Sequence, residues 1–350
     1  MKKTYFILLI NLILILNLFA GCNSTPKKEK FTDYSFDYFD TATSIVGYEK
    51  TREEFDAVCV DIKHKLEEYH RLYTIYNSYD NLNNMRTVNS QKNSVSVDKK
   101  IIDMLLFSKE MYSNTNGKFN IAMGSVLSVW HDYREEGMLD PKSAKLPPME
   151  VLQSAADHTD INKILIDTDN NTVTLQDDKM SLDVGAVAKG YAVEQVAQWM
   201  ESKGISGYIL NVGGNVRTVG KRPDGTSWTV GIENPDKSDS EKEYIAYLSI
   251  SDMAVVTSGS YQRFYTVNGI NYHHIIDPNT LMPSENFISV SVLSPDSGKA
   301  DILSTALFSM NYNEGKELIE SMPDTEAMWV MPDGEQLFSS GFKKFCVNLD

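Results

Sequence analysis

GYILNVGGNVRTV, residues Gly207–Val219, reads as two short strands, Gly207–Val212 and Val216–Val219, whose apolar residues alternate so that one side of a sheet is covered. The pattern continues toward the C-terminus. Trp228–Ile232, Tyr244–Ile250 and Ala254–Thr257 are strand-like, and a hairpin turning at Asn268-Gly269 links Phe264–Val267 to Tyr272–Ile276. Ile288–Leu293, Ala327–Met331 and Gln336–Phe338 add strands, while Lys299–Met310 and Asn313–Ser321 have helical spacing. Upstream, a strand-like stretch near Tyr38–Tyr48 precedes an amphipathic helix carrying Phe55, Val58, Ile62, Leu66, Tyr69 and Tyr73. A second helix runs from Asp98 to Asn114 and stops at Gly117, and a third, Val184–Lys203, stops at Gly204. Antiparallel strands interrupted by helices predict an α+β fold, with mixed, mainly antiparallel sheets and packed helices, rather than a doubly wound parallel sheet. Residues 131–160, charged and carrying Pro141, Pro147 and Pro148, read as a long loop or insertion around one short helix.

The composition of the 350 residues, 42% hydrophobic and 23% charged, is that of a folded globular chain and excludes a multi-pass membrane protein. The 33 Lys and Arg against 48 Asp and Glu give a net charge of −15, which argues against nucleic acid as a partner because phosphate contacts need a basic face. Any phosphate-bearing ligand must then be held by a metal ion or by local backbone N–H groups.

Lys2 and Lys3 precede an apolar run from Tyr5 to Ala20, short for a membrane span and right for a signal-peptide core, and Gly21-Cys22 follows. The segment resembles a bacterial lipoprotein signal, with Cys22 lipidated; a plain N-terminal anchor is the alternative. Either way the folded part is expected outside the cytoplasm, as a lipid-anchored protein on the extracytoplasmic face of the cell membrane. The expected organisation is a signal peptide at 1–21, a tether at 22–37 and a domain at 38–350, single or in two modules, with the insertion near 131–160. Loss of residues 1–21 removes two Lys and no acid, taking the net charge from −15 to −17. Cys59 and Cys346 are too few for a disulfide framework, and whether they pair is open.

Several motifs can be weighed on their residues. DTDNNTV (Asp167–Val173) imitates a calcium loop but has Thr172 where the sharp turn needs Gly, so a turn between strands explains it better. GNVRTVGKR (Gly214–Arg222) has five residues between its glycines and Arg222 in place of the metal-binding hydroxyl, so it is no phosphate loop. His273 and His274 are adjacent on a strand, so at most one faces a given site. In SLDVGAVAKGY (Ser181–Tyr191), Asp183 can cap a helix whose first turn is built of small residues, with Lys189 within two turns. Asp301 and Thr305, four apart in a helical run, project oxygens from one face and suit a hard cation such as Mg²⁺.

Together these blocks resemble the ApbE family, the FAD:protein FMN transferases. The likeness spans roughly Tyr38 to Met322 in FDTATS (Phe39–Ser44), LYTIYN (Leu72–Asn77), NGKFNIAMGSVLSVW (Asn116–Trp130), LDVGAVAKGYAVE (Leu182–Glu194), LNVGGNV (Leu210–Val216), VVTSGSYQRFY (Val255–Tyr265), YHHIIDPNT (Tyr272–Thr280) and ADILSTALF (Ala300–Phe308). The chain departs from the family pattern at Asn120 and Glu194, where Asp is usual, and at Leu281, where Gly is usual. The resemblance implies an ApbE/T-fold-like core. It also implies that Tyr76 stacks on the isoalloxazine with Phe39 nearby, that Asn120, Asp183, Lys189 and Ile275 lie along the FAD, and that Asp301, Thr305 and the Ala186 carbonyl hold the metal. The implied reaction is Mg²⁺-dependent attack by a Thr or Ser hydroxyl of an extracytoplasmic flavoprotein, such as a subunit of a membrane electron-transport complex, on the FMN-side phosphorus of FAD, with AMP leaving. His274 is the candidate base, with Asp301 the alternative. Hydrolysis of FAD to FMN and AMP, and flavin binding without catalysis, are the competing readings; stacking alone needs no metal, which disfavours the last.

Overall fold

Burial on one helix face and alternation along strands organise the chain around a single antiparallel sheet. The computed structural model describes residues 27–236 and 242–347; the expected signal peptide and Cys22 lie outside the described residues. In chain order the elements are β1 (Glu29–Tyr38), β2 (Thr41–Glu49), α1 (Arg52–Tyr73), α2 (Met85–Ser90), β3 (Val95–Ser96), α3 (Lys99–Asn114), α4 (Gly124–Leu139) and α5 (Met149–Ala156). There follow β4 (Ile164–Asp167), β5 (Thr172–Leu175), α6 (Ala188–Ser202), β6 (Tyr208–Val212), β7 (Asn215–Val219), β8 (Trp228–Glu233), β9 (Tyr244–Ile250) and β10 (Ala254–Gly259). The chain closes with β11 (Phe264–Val267), β12 (Ile270–His273), β13 (Ser289–Ser294), α7 (Ser297–Phe308), α8 (Tyr312–Glu320), β14 (Glu326–Val330) and β15 (Gln336–Phe338).

Eight strands form the main sheet in the order β1-β2-β6-β7-β10-β13-β14-β15, and each neighbouring pair is antiparallel. Helices α1, α6 and α7 pack on one face, where Phe55, Ile62, Val193, Leu303 and Phe308 join Ile45, Leu210, Val256 and Val292. The β8–β9 ribbon covers part of the other face, setting Val230, Ile232, Leu248 and Ile250 against Val255, Leu293 and Met328. Because both sides of β13 are covered, all six of its residues are buried. A third cluster joins α4 and α5 to the β11–β12 hairpin through Val126, Trp130, Leu152 and Tyr265. The α+β class expected from the sequence is the observed one.

Four boundaries differ from the sequence reading. The tether expected at 22–37 gives way at Glu29 to β1, the sheet's edge strand. The insertion expected near 131–160 begins inside α4, which continues to Leu139. The third helix begins at Ala188, not Val184; Asp183 caps the preceding turn, its Oδ1 accepting the Gly185 N–H at 2.8 Å, and does not cap the helix. The strand after the Asn268-Gly269 turn ends at His273. DTDNNTV is the turn between β4 and β5, with Asn171 at φ 50°. Leu281, where the family pattern has Gly, has φ 62°, and the Trp130 indole N–H donates to its carbonyl at 2.9 Å. Cys59 and Cys346 are both free; burial pushes the Cys59 thiol up to about 12. Among the described residues no helix is long and apolar enough to cross a membrane.

Candidate active site

The antiparallel order brings several connections to one end of the sheet. The β1–β2 turn places Phe39 and Asp40 at φ 53° and 51°, and the β6–β7 turn places Gly213 and Gly214 at φ 56° and 88°. A Cβ on Gly213 would lie 2.5 Å from Thr41 Oγ1, so this close approach of the two turns requires glycine. Asn215 opens β7 beside Val256, and β10 ends at Gly259 at the same end. The Phe39 N–H donates to His70 Nδ1 at 3.0 Å and its ring meets the imidazole edge-on. For a non-glycine residue this left-handed conformation is strained and needs its surroundings to hold it.

Behind these turns, α6 crosses α7. A Cβ on Gly190 would stand 2.4 Å from Asp301 Cβ and from the Ser297 carbonyl oxygen, so glycine permits the contact. Asp301 is buried, and its Oδ2 accepts the Gly190 N–H at 2.9 Å, with the Asn215 amide at 3.5 Å and Lys189 Nζ at 3.6 Å. Burial pushes its carboxyl up, opposed by the Lys189 ammonium and these donors. Gly190 lies in the first turn of α6, after the Val187 N-cap, where a backbone N–H has no acceptor within the helix. Asp301 supplies that acceptor, and among the described residues no backbone N–H bonds the Ala186 carbonyl in the turn before α6. Thr305, one turn beyond Asp301, lies 3.4 Å from Ser258 Oγ, which also bonds Ser304 Oγ at 2.7 Å. Asn215 Oδ1 is buried with no hydrogen-bond partner.

Among the described residues no three His, Cys, Asp or Glu cluster as a metal site. One carboxylate, a hydroxyl, a backbone carbonyl and an orphaned amide oxygen form an all-oxygen set. That chemistry fits a hard cation that keeps water and substrate oxygens in its shell, and it would not suit a soft metal.

A second group of side chains surrounds a cavity of about 290 Å³ lined by Tyr76, Arg86, His131 and Asp183. Tyr76 is 58% exposed, and its ring centroid is 6.2 Å from that of His131. Burial raises the Asp183 carboxyl, opposed by the Gly185 N–H that it accepts. A larger cavity of about 630 Å³ between β9 and β15 is lined by Tyr244, Tyr247, Phe338 and Lys343 but by no carboxylate or histidine, so it lacks the chemistry sought here.

The two histidines, one ending β12 and the other just past it, have different surroundings. His273 is buried with both nitrogens engaged, Nε2 with the Ser284 carbonyl at 2.7 Å and Nδ1 with the Ile275 N–H at 3.1 Å. His274 Nδ1 meets the Arg263 carbonyl at 3.3 Å. A carbonyl only accepts, so Nδ1 carries the proton and Nε2 keeps its lone pair. Burial, with the Arg263 guanidinium and His273, pushes His274 down to about 3. Two of the expected FAD contacts also have partners within the chain. Asn120 spends its amide on the Thr159 carbonyl and the Ala122 N–H, and Ile275 is a core residue whose carbonyl accepts from Ser284.

Sequence reading missed Asn215, His131 and the role of Glu194. Glu194 pairs with buried Arg217 at 3.0 Å and accepts the Ser297 N–H at 2.9 Å, tying α6 to β7 and to the start of α7. The unusual Glu at this position was the only signal.

The ApbE family profile matches residues 39–329. The FAD:protein FMN transferase of Treponema pallidum is 30% identical over 273 residues, 73% of each chain. That of Haemophilus influenzae is 28% identical over 311 residues, 86% of each. Among solved structures, the ApbE protein of Thermotoga maritima matches with a TM-score of 0.79 at 25% identity, over 91% of this chain and 100% of its own. The flavin transferase ApbE from Vibrio cholerae, 23% identical with a TM-score of 0.75 over 91% and 99%, shares the fold.

Proposed function

The chain belongs to the ApbE family, and we propose that it is a FAD:protein FMN transferase that moves the FMN part of FAD onto a Thr or Ser hydroxyl of an acceptor protein. The observation that carries the mechanism is buried Asp301, whose Oδ2 takes the Gly190 N–H from the first turn of α6 with Lys189 Nζ 3.6 Å away. Asp301, Thr305 and the Ala186 carbonyl would hold Mg²⁺, which when bound offsets pyrophosphate charge. Lys189 adds a cation, which a chain of net charge −15 needs locally to accept such an anion. Tyr76 supports the flavin ring and Asp183 borders it.

The acceptor oxygen attacks the FMN-side phosphorus, the pyrophosphate P–O bond breaks, AMP carries away the bridging oxygen, and the hydroxyl proton passes to His274 Nε2. His274 is neutral at pH 7 and so able to accept it, although its low affinity for protons means that the approaching phosphate must raise it for efficient transfer. Most of the catalysis is then positioning and charge compensation. From the sequence we further propose lipid anchoring at Cys22 and an extracytoplasmic acceptor, such as a subunit of a membrane electron-transport complex.

The test is to incubate the protein with FAD, Mg²⁺ and a candidate acceptor, following acceptor mass and AMP. Transfer gives an acceptor heavier by one FMN less water, with one AMP per acceptor, and chelation stops both. AMP with free FMN and an unmodified acceptor would instead show hydrolysis.

A further inference from the structure

The transferase reading gives the flavin ring one aromatic partner, Tyr76, and His131 on α4 is a second ring that lines the same cavity. The two ring centroids stand 6.2 Å apart with their planes inclined by 36°. A flat heterocycle held between two aromatic faces needs about 7 Å, twice the contact distance of roughly 3.5 Å between stacked carbons. Tyr76 is 58% exposed, so a rotation of its ring would open the gap and level the two planes.

His131 is held by its edge. Arg134 Nη2 lies 2.8 Å from His131 Nδ1, and a guanidinium can only donate, so Nδ1 is the acceptor and the ring proton sits on Nε2. That N–H points to Glu135 Oε1 at 3.1 Å. Both partners lie one turn along α4, and the preceding residue, Trp130, is anchored in the core by its bond to the Leu281 carbonyl. On the other side the Tyr76 backbone is fixed, its N–H donating to Thr74 Oγ1 at 3.2 Å and its carbonyl accepting from Arg86 Nη1 at 2.8 Å.

We propose that Tyr76 and His131 form a two-sided slot for the isoalloxazine, so that His131 is a binding residue for the ring half of the substrate. The identity of the ring rests on the transferase reading; the slot itself rests on the geometry.

Calorimetric titration of the full chain with FAD, riboflavin and ADP tests it. His131→Ala should weaken FAD and riboflavin by roughly 5- to 50-fold, on the scale of one lost stacking face, and leave ADP within about 2-fold. Unchanged ADP affinity also reports that the variant is folded. His131→Phe, which keeps the face and loses the edge contacts, should bind FAD within about 3-fold of wild type, and His131→Gln should behave like the alanine variant. Wild-type FAD affinity in His131→Ala, alongside a loss in Tyr76→Ala, would overturn the slot and leave the transferase reading standing. So would a phenylalanine variant as weak as alanine, because edge contacts would then be the cause. A wild-type protein that binds neither FAD nor riboflavin would overturn the transferase reading, and the slot with it.

Discussion

Keeping a carboxylate charged where little water reaches it is unfavourable, and Asp301 is buried with its carboxyl pushed up. Asp301→Asn retains the shape and an oxygen for the Gly190 N–H while removing the charge. Turnover should fall by roughly 10²-fold or more, as when one preorganised charge partner is lost. Melting temperature should hold or rise, because an amide is cheaper to bury. Assay beside a thermal melt decides; full activity in the variant would remove Asp301 from the site. His274 gives a pH prediction of definite sign. Its folded value, about 3, lies below the ordinary 6.5, so between these limits the unfolded chain takes up a proton that the folded one refuses. Stability from this group is complete above about pH 6.5 and lost as pH falls toward 3. His273 acts in the same direction, and Asp183 and Asp301, both raised, act oppositely. Comparing wild type with His274→Asn isolates one group: the variant should gain on wild type in denaturant unfolding between pH 6.5 and 4. Parallel curves would show that His274 titrates normally.

At the scale of elements, the α6–α7 crossing sets the site. Gly190→Ala pushes a methyl group into Asp301 Cβ and the Ser297 carbonyl, both at 2.4 Å. The expected cost is about 1–3 kcal/mol by chemical denaturation, with a loss of Mg²⁺-dependent turnover larger than that destabilisation explains. A fully stable and active variant would show that the helices can separate freely. Such a contact joins residues more than a hundred positions apart, which is why spacing revealed Asp301 and Thr305 but not the Gly190 bond or Asn215. Local signals did better. Alternation found β6, β9 and β15, and helical spacing with a Gly117 stop found α3. They failed where the pattern is inverted. In β1, Tyr34 and Phe36 point to solvent while Asp33 pairs with Lys63, so the strand looked like a tether. The last turns of α4 carry exposed Met138 and Leu139, which hid the helical period in a region already dense with charge.

At the scale of the whole molecule, β1 is the first element among the described residues. A chain starting at residue 27 should melt like the longer one. A chain starting at residue 41 loses β1, and with it Tyr38 and the Phe31 ring packed 5.6 Å from Phe55. At about 1.5–3 kcal/mol for each large side chain, the loss should be of order 3–6 kcal/mol, with aggregation through the newly exposed edge of β2. Equal melting temperatures would mean that the edge strand is dispensable. The same strand fixes a length. Its ten residues span about 33 Å, with the Phe39–Asp40 turn at the reactive end and Glu29 at the opposite end. Were Cys22 lipidated, as proposed, a strand's length would separate Glu29, the end of β1 nearer that cysteine in sequence, from the chemistry. On such an anchor the reactive end would favour hydroxyls carried on a domain that projects from the bilayer over those lying flush with it.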